Sequence, residues 1–173
     1  MTPPTSQRGS ATVAGIPIRW VTRNHATGDA ARRVALWLPY LGGTKDDVVP
    51  MLERLADAGF FAVSFDPSQH GERSSEPTAQ LQDRMIGAFR REMWPVIGQS
   101  TLDAMWVLDW VTDQHDVSTR DAVACGLSMG GDICVALAGI DRRLDAGASL
   151  IDQGLPSAYG RWLYSQLDPI PFS

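Results

Sequence analysis

The sequence is poor in the residues that most often form metal centres and disulfide frameworks. Its 173 residues include two cysteines and three histidines. No Cys-x-x-Cys or His-Glu-x-x-His spacing occurs among them, so we expect neither a metal nor another cofactor. Cys125 and Cys134 each lie in an apolar stretch, and this placement predicts buried free thiols rather than a disulfide or a metal pair.

Long apolar runs and clusters of basic residues are also missing. No run approaches the ~20 residues of a transmembrane helix, and residues 1–10 lack the apolar core of a signal peptide. The net charge is −5, and no Lys/Arg cluster is interleaved with aromatic residues, which argues against a nucleic-acid-binding surface. We therefore predict a cytoplasmic protein that has neither a nucleic acid nor a membrane as a partner.

The rest of the composition is typical of one globular domain. Hydrophobic residues make up 44% of the chain and charged residues 20%, and the length allows a sizeable core. We predict a flexible tail over residues 1–9 and a single domain over residues 10–173. Strand-like pieces on both sides of Ala14-Gly15 predict a hairpin, which Pro17 confines to the edge of a sheet.

Buried strands and the helices between them follow this hairpin. Short apolar runs over residues 34–38 and 60–65 are typical of strands that are buried on both faces. Four apolar residues between these runs have the spacing of a helix that stops at Gly59: Val48, Met51, Leu52 and Leu55. A strand, a helix and a strand so close together predict a βαβ unit. The fold class is therefore α/β, with a mostly parallel sheet flanked by helices.

The second half of the chain continues this alternation. Apolar stripes at helical spacing run from Leu81 to about Asp113, with a kink or restart predicted at Pro95. Residues 122–126 predict a third buried strand and residues 146–151 a fourth. The helix between them has an inner stripe of Ile133, Ala136, Leu137 and Ile140. Beyond it, the sequence predicts at most one short helix, around residues 159–167.

The stretch from Asp121 to Gly131 carries the clearest chemical motif. Gly126, Ser128 and Gly130 match the pattern G-x-S-x-G, in which the serine occupies a sharp turn from a strand into a helix. Such a turn needs glycines because strand and helix pass very close together. The amides at the start of the helix and its dipole would favour a developing oxyanion. A purely structural turn that happens to carry serine is the alternative, but the predicted strand and helix around Ser128 favour a nucleophile.

Four segments occur in an order that resembles a known superfamily. They are Leu41–Lys45, Ala58–Phe60, Asp66–Arg73 with its His70-Gly71 pair, and Gly126–Gly130. Together they resemble the α/β-hydrolase superfamily, and most of all its small esterases and dienelactone-hydrolase-like members, over roughly residues 34–151. The resemblance implies an α/β-hydrolase fold that is short at its C-terminal end.

The resemblance also implies roles for individual residues. Ser128 corresponds to the nucleophile of the family. The oxyanion hole corresponds to the amide of Met129 together with one amide from the first glycine turn, either that of Leu41 or that of the neighbouring Gly42.

The catalytic acid and histidine are the point at which this chain departs from the family. Family members place both on loops after later strands, in the order Ser, acid, His, whereas all three histidines here precede Ser128. His70 is a candidate base, although a role in shaping its loop is the alternative. Asp152, which follows the fourth predicted strand, is a candidate acid, although turn chemistry also favours Asp there. We expect His25 and His115 to be solvated.

A serine hydroxyl without a base is a weak nucleophile at neutral pH. We therefore expect a hydrolase of carboxylic esters that forms an acyl-enzyme at Ser128 and needs a base from another chain or another copy of itself. The unpaired edge of the last parallel strand predicts a homo-oligomer or a complementing chain. Two alternatives stay open. One is a non-catalytic binding or interaction module descended from an α/β-hydrolase, and the other is an acyltransferase or thioesterase that uses the same serine.

Overall fold

The computed structural model describes residues 6–23, 32–115 and 117–150, and the statements below concern these residues. They contain six strands: β1 (Ser6–Val13), β2 (Ile16–Arg23), β3 (Arg32–Leu38), β4 (Phe61–Phe65), β5 (Val117–Leu127) and β6 (Leu144–Leu150). Four α-helices accompany them: α1 (Val49–Asp57), α2 (Thr78–Gly87), α3 (Phe89–Gln114) and α4 (Met129–Ile140). The strands form one sheet in the order β1-β2-β4-β3-β5-β6.

The sheet is mixed, with a parallel part and an antiparallel edge. Strands β4, β3, β5 and β6 are parallel to one another, whereas β1 pairs antiparallel with β2 and β2 antiparallel with β4. The predicted α/β class is therefore confirmed, as is a hairpin at the edge of the sheet. Pro17 does not lie in the edge strand β1, however, but in β2, which pairs on both sides. Ala14 and Gly15, both with positive φ, form the two-residue turn of the hairpin.

Strand β1 is longer than the sequence pattern predicts. It begins at Ser6 rather than at residue 10, and Ser6 pairs with Arg23 at the far end of the hairpin. Residues 6–9, which we assigned to the tail, are therefore strand. Backbone pairing with β2 extends β1 here. These polar residues lack the apolar pattern by which a strand is detected.

Hydrophobic side chains cover both faces of the sheet. On one face, Leu52 and Ala56 of α1 pack with Val21 of β2 and Ala62 of β4. A larger core on the other face joins the strands to α2, α3 and α4, and it includes Ile18, Leu36, Val63, Met85, Val107 and Ile133. Successive residues of a strand point to opposite faces, which places Ala62 and Val63 in different cores. The described residues thus form three layers, helix on sheet on helices.

The break between the helices that precede β5 is not at the predicted position. Helix α2 ends at Gly87, and α3 runs without interruption from Phe89 through Pro95. The break falls at Ala88, whose φ of −137° and ψ of 49° are not helical. Pro95 removes one N–H donor, a local cost that the many buried side chains of α3 offset.

The region around α4 also differs in detail from the sequence pattern. Strand β5 begins at Val117, before the predicted start at residue 122. Ile133 and Leu137 are buried as predicted, but Ile140, the last residue of α4, is 56% exposed. Helical spacing alone cannot show where the packing against a helix stops. Among the described helices, none is both long and apolar enough to cross a membrane.

The direction in which successive strands are added to the sheet reverses at its centre. The chain passes from β3 through α1 to β4 on one side of β3, and from β4 through α2 and α3 to β5 on the other side. In open α/β sheets, ligands bind outside the carboxyl ends of the strands at such a reversal. The loops after β3, β4 and β5 therefore define the candidate site.

Candidate active site

Ser128 occupies the turn from β5 into α4 with an unusual backbone conformation. Its φ is 53° and its ψ is −120°, a combination that non-glycine residues rarely adopt and that costs about 1–3 kcal/mol. The residue is half-buried and precedes the first residue of α4, but its side chain makes no capping hydrogen bond to the helix. Its hydroxyl is thus not used to stabilise the start of α4, although serine is a common capping residue.

The two glycines of the motif are required by close contacts between backbone atoms. A Cβ atom at position 126 would clash with the carbonyl group of Gly130. A Cβ atom at position 130 would clash with the carbonyl oxygen of Leu38 and lie 2.6 Å from that of Pro39. The predicted reason for the glycines is therefore confirmed. The second contact also brings the start of α4 against the end of β3, close to the glycine turn that follows it.

The first turn of α4 leaves amides directed out of the helix. The carbonyl oxygen of Ser128 accepts bonds from the amides of Gly131, at 2.7 Å, and Asp132, at 3.2 Å. The amides of Met129 and Gly130 precede these donors, and a helix provides no acceptor of its own for its first N–H groups. With the positive end of the helix dipole, they make this turn a suitable place for an oxyanion. The position of Met129 is thus compatible with its predicted role.

The glycine turn after β3 is a compact β-turn. The amide of Gly43 donates to the carbonyl oxygen of Tyr40 at 2.8 Å, and Gly42 has a φ of 85°. A positive φ at the third residue of a β-turn is typical of type II, which requires glycine or asparagine there. Leu41 precedes it in the turn and is buried. The two predicted alternatives for the second oxyanion donor, Leu41 and Gly42, are thus the two central residues of one rigid turn.

A buried carboxylate joins this turn to the loop after β4. Asp66 is fully buried and accepts a bond from the amide of Lys45 at 2.9 Å and one from the amide of Glu72 at 3.0 Å. The ammonium group of Lys45 lies 3.2 Å from Asp66 and 2.6 Å from Glu72. Gly71, with a φ of 54°, gives room to this carboxylate because any Cβ there would clash with it. Both loops of the candidate site therefore share one ionic centre.

The charge on Lys45 is strongly supported by this centre. Burial by itself would lower the pKa of the ammonium group, but the bonds to Glu72 and Asp66 outweigh that effect and raise the pKa above its usual value. Lys45 is therefore charged throughout the physiological range. A permanently protonated amine cannot accept a proton from a nucleophile, so Lys45 holds the loops rather than serving as a base.

Arg73 extends the network from the loop to α3. Its guanidinium donates to the carboxylate of Asp103 at 2.6 Å and to the backbone carbonyl of Asp66 at 3.1 Å. Gln99 donates to the other oxygen of Asp103 at 2.8 Å. The loop after β4 is thus fixed to the longest helix as well as to the neighbouring loop.

His70 lies inside this loop and is only 1% exposed. Its Nδ1 is 2.8 Å from the carbonyl oxygen of Ser68, and since a carbonyl only accepts, Nδ1 carries the proton. The other nitrogen, Nε2, is buried and has no hydrogen-bonding partner among the described residues. Burial lowers the pKa of the ring, against the opposing effect of the bond to Ser68. This enclosed, neutral imidazole supports the loop-shaping role more than that of a base for Ser128.

The other candidates for acid and base lie elsewhere. Asp152 and His25 fall outside the described residues. His115 is not solvated as we expected: it is half-buried at the end of α3, with its ring 4.6 Å from that of Phe61 and 5.1 Å from those of Trp20 and Trp110. Two of these rings, those of Trp20 and Phe61, come from distant strands, and the residues next to His115 in the sequence do not reveal them.

The two cysteines are unsuited to act as nucleophiles in place of the serine. Both are free thiols, as predicted, with Cys134 buried and Cys125 half-buried. Burial raises the pKa of Cys134 to about 12 and also raises that of Cys125. Because only the thiolate is strongly nucleophilic, neither side chain competes with Ser128 at neutral pH. Among the described residues, no group of His, Cys, Asp and Glu side chains is arranged to hold a metal ion.

Sequence reasoning missed the ion pairs of the site, although it singled out the segments that contain them. Asp66 directly follows an apolar strand, and a charged residue in that position is a signal for a buried polar centre. Nothing in the sequence links it to Lys45, which lies 21 positions earlier. Gln82 of α2, which contacts the glycine turn, was also missed because it belongs to the polar part of a helical pattern.

Comparisons with known proteins show a similarity of fold. No family model matches the sequence, and no curated protein matches it. Several solved structures, in contrast, have a similar fold. A Klebsiella pneumoniae protein assigned as a dienelactone hydrolase is similar with a TM-score of 0.65 and 17% identity, over 83% of this chain and 58% of its own.

Two further structures come from enzymes of different activity. A cold-adapted esterase from an Arctic intertidal metagenomic library has a TM-score of 0.56 and 21% identity, over 86% of this chain and 61% of its own. Epoxide hydrolase A from Mycobacterium thermoresistibile has a TM-score of 0.55 and 18% identity, over 93% of this chain and 45% of its own. The chain spans less than two thirds of each of these three relatives. At such identities the similarity shows the fold and leaves the reaction open.

Proposed function

Because this chain has the α/β-hydrolase fold, we propose that it is a hydrolase of carboxylic esters in which Ser128 is the nucleophile. The observation that carries the proposal is the backbone of Ser128 itself. A φ of 53° is strained for serine, and the side chain is not used for capping. Strain of this kind is typical of functional sites, since a purely structural turn would place glycine here at lower cost.

The proposed reaction begins with attack of the Ser128 hydroxyl oxygen on the carbonyl carbon of the ester. A base removes the hydroxyl proton, and the negative oxygen of the tetrahedral intermediate accepts bonds from Met129 and from Leu41 or Gly42. When the C–O bond to the alcohol breaks, the alkoxide takes the proton and leaves. Water then attacks the acyl-enzyme by the same route, which releases the acid and restores the serine.

The base in this scheme comes from outside the described residues. His70 is enclosed and directed at Ser68, His115 lies among aromatic rings, and Lys45 is permanently charged. We therefore retain the proposal that another chain or another copy of this chain completes the site. The cytoplasmic location likewise remains a prediction.

Covalent labelling tests the nucleophile directly. We expect an alkyl fluorophosphonate to add one phosphonyl group to the protein, and mass spectrometry of the peptides should locate it on Ser128. Ser128→Ala should abolish the modification, while Ser75→Ala, at an exposed position in the loop before α2, should retain it. Labelling that persists in Ser128→Ala would contradict the proposal.

A non-catalytic binding module is the second candidate, and one observation favours it. His70 is directed at the carbonyl oxygen of Ser68, and its other nitrogen, which could accept a proton, is buried. Without a base, a dismantled triad leaves only about 10³–10⁴-fold acceleration over water. If a fluorophosphonate does not label the purified protein at any pH between 6 and 9, the binding module becomes the better description.

Apolar side chains on the outside of two helices support the proposed partner. Trp94, Leu102 and Trp106 of α3 and Val135 and Ile140 of α4 are each at least 50% exposed. We call this set the outer helix face. Helix α4 is apolar on most of its surface, and a helix of that composition is normally covered on all sides. Among the described strands, β6 lies at one end of the sheet, and an edge strand can pair with another chain.

A further inference from the structure

Helix α2 lies directly against the glycine turn after β3. A Cβ atom at position 42 would lie 2.5 Å from Nε2 of Gln82 and 2.8 Å from Cγ2 of Thr78. Thr78 and Gln82 are four residues apart and so form one ridge of the helix. Next to this ridge, on the same face, α2 buries Leu81 and Met85 in the core. The helix is therefore anchored in the core beside its contact with the turn.

A hydrogen bond joins this ridge to the backbone of the turn. Nε2 of Gln82 donates to the carbonyl oxygen of Leu41 at 3.1 Å. The peptide between Leu41 and Gly42 is planar and trans, so its C=O and N–H groups point in opposite directions. By holding the carbonyl group towards α2, Gln82 directs the N–H group of Gly42 away from α2.

Without this bond, the turn could adopt an alternative conformation at little cost in energy. Type I and type II turns differ mainly by rotation of the central peptide, here the one between Leu41 and Gly42. Glycine at the third position is compatible with either form because it has no Cβ to restrict it. The preceding peptide is held separately, since its Tyr40 carbonyl accepts the bond from Gly43. Gln82 is therefore the contact that selects the orientation of the central peptide.

The position of α2 is itself fixed from the opposite loop. Arg84 forms ion pairs with Glu76 and Glu92, the latter at 2.6 Å. It also donates to the side chain of Gln69 at 2.7 Å, in the loop after β4. The helix thus bridges the two loops that border the candidate site.

We propose that Gln82 is a positioning residue that orients the glycine turn after β3, through its bond to Leu41 and its packing on Gly42. The inference rests on the proposed function of Ser128. Gln82 acts only through the turn and does not touch the reacting atoms. Its loss should reduce the rate of attack by Ser128 and leave the initial binding of a reagent unchanged.

The test compares two methionine variants on the same helix. Gln82→Met keeps the length of the side chain and removes the N–H donor, while Gln80→Met makes the same change at an exposed position. For each protein, amide hydrogen exchange of the peptide that contains residues 41–43 is measured by mass spectrometry. The rate constant of fluorophosphonate labelling and the reagent concentration that gives half of it are measured separately.

We expect Gln82→Met to speed exchange at residues 41–43 and to lower the labelling rate constant about three- to tenfold, the effect of one net hydrogen bond. The half-saturating concentration should stay unchanged, and Gln80→Met should match the wild type in every measurement. Unchanged exchange in Gln82→Met would overturn the positioning role. Faster exchange with an unchanged labelling rate would overturn its importance for the reaction.

The exchange measurement also separates this inference from the proposed function. If the wild type is not labelled at Ser128, the proposed function fails, and hydrogen exchange still decides whether Gln82 orients the turn. If exchange rises across the whole chain of Gln82→Met and not only at residues 41–43, Gln82 is a general stability residue and the inference is wrong.

Discussion

The loops at the carboxyl ends of β3, β4 and β5 and the outer helix face differ in how their side chains are satisfied. In the loops, two charged residues are almost completely buried and paired with each other: Lys45 and Asp66 are at most 4% exposed. On the outer helix face, large apolar side chains such as Trp106 are exposed. The buried charges of the loop region are thus paired within the chain, whereas the helix surface retains apolar area of the kind that marks an interaction site.

The candidate site therefore does not depend on the outer helix face for its shape. The loop region is fixed by glycine contacts and ion pairs among described residues, such as those of Gly130 with Leu38 and of Asp66 with Lys45. A partner that covers α3 and α4 would therefore add residues or stability without having to build the turn at Ser128.

The largest effect is expected where a buried ion pair of the loop region is broken. Asp66→Ala removes the carboxylate that faces Lys45 and leaves a buried ammonium group with fewer partners. We expect the free energy of unfolding, measured by urea denaturation, to fall by about 3–5 kcal/mol. Glu53→Ala breaks only the exposed pair with Arg8 and should cost about 0–1 kcal/mol. Equal losses in the two variants would remove the contrast between buried and exposed charges.

A second substitution tests the glycine contacts of the same region. Gly130→Ala places a methyl group against the carbonyl oxygens of Leu38 and Pro39, so we expect it to lower the free energy of unfolding by about 1–3 kcal/mol. It should also reduce labelling of Ser128. Gly139→Ala is the matched control on the same helix, because nothing lies within 4 Å of its Cβ position. The control should gain up to about 1 kcal/mol from helix propensity. If neither change lowers the free energy of unfolding, the turn from β5 into α4 is not tightly packed.

The smallest effect on the stability of the chain is expected on the outer helix face. Leu102→Gln combined with Trp106→Gln should change the free energy of unfolding by less than about 0.5 kcal/mol per site, because both side chains are exposed. The same change should reduce self-association, measured by light scattering over a range of protein concentrations. Asp113→Asn, an exposed polar position of α3, should leave association unchanged. A wild type that is monomeric at all concentrations would contradict the proposed homo-oligomer.

Features that follow from short stretches of sequence were predictable. The strands β3 and β4, the helix between them and the glycine-flanked Ser128 each have a local pattern of apolar residues or glycines, and the structure confirms them. The break at Ala88 was not predictable, because Pro95 was the stronger local signal and tertiary packing overrode it.

Features that depend on distant residues could not be read from the sequence. The bond between Gln82 and Leu41 joins residues 41 positions apart, and that between Arg73 and Asp103 spans 30. No periodic sequence pattern predicts either pair, because the topology of the sheet brings these residues together. The buried position of His70 has the same origin, because α3 contributes Ser100 to the loop that encloses it.

The contact of Gly130 with the end of β3 joins segments that are far apart in the chain, because β4, α2, α3 and β5 all lie between them. Contacts between such distant segments form slowly, and domains of this size assemble them after local structure is in place. The strained backbone of Ser128 is maintained only by surroundings of this kind. We therefore expect an ordinary, unstrained serine at this position in a partly folded chain, so that the strained turn at Ser128 forms late in folding.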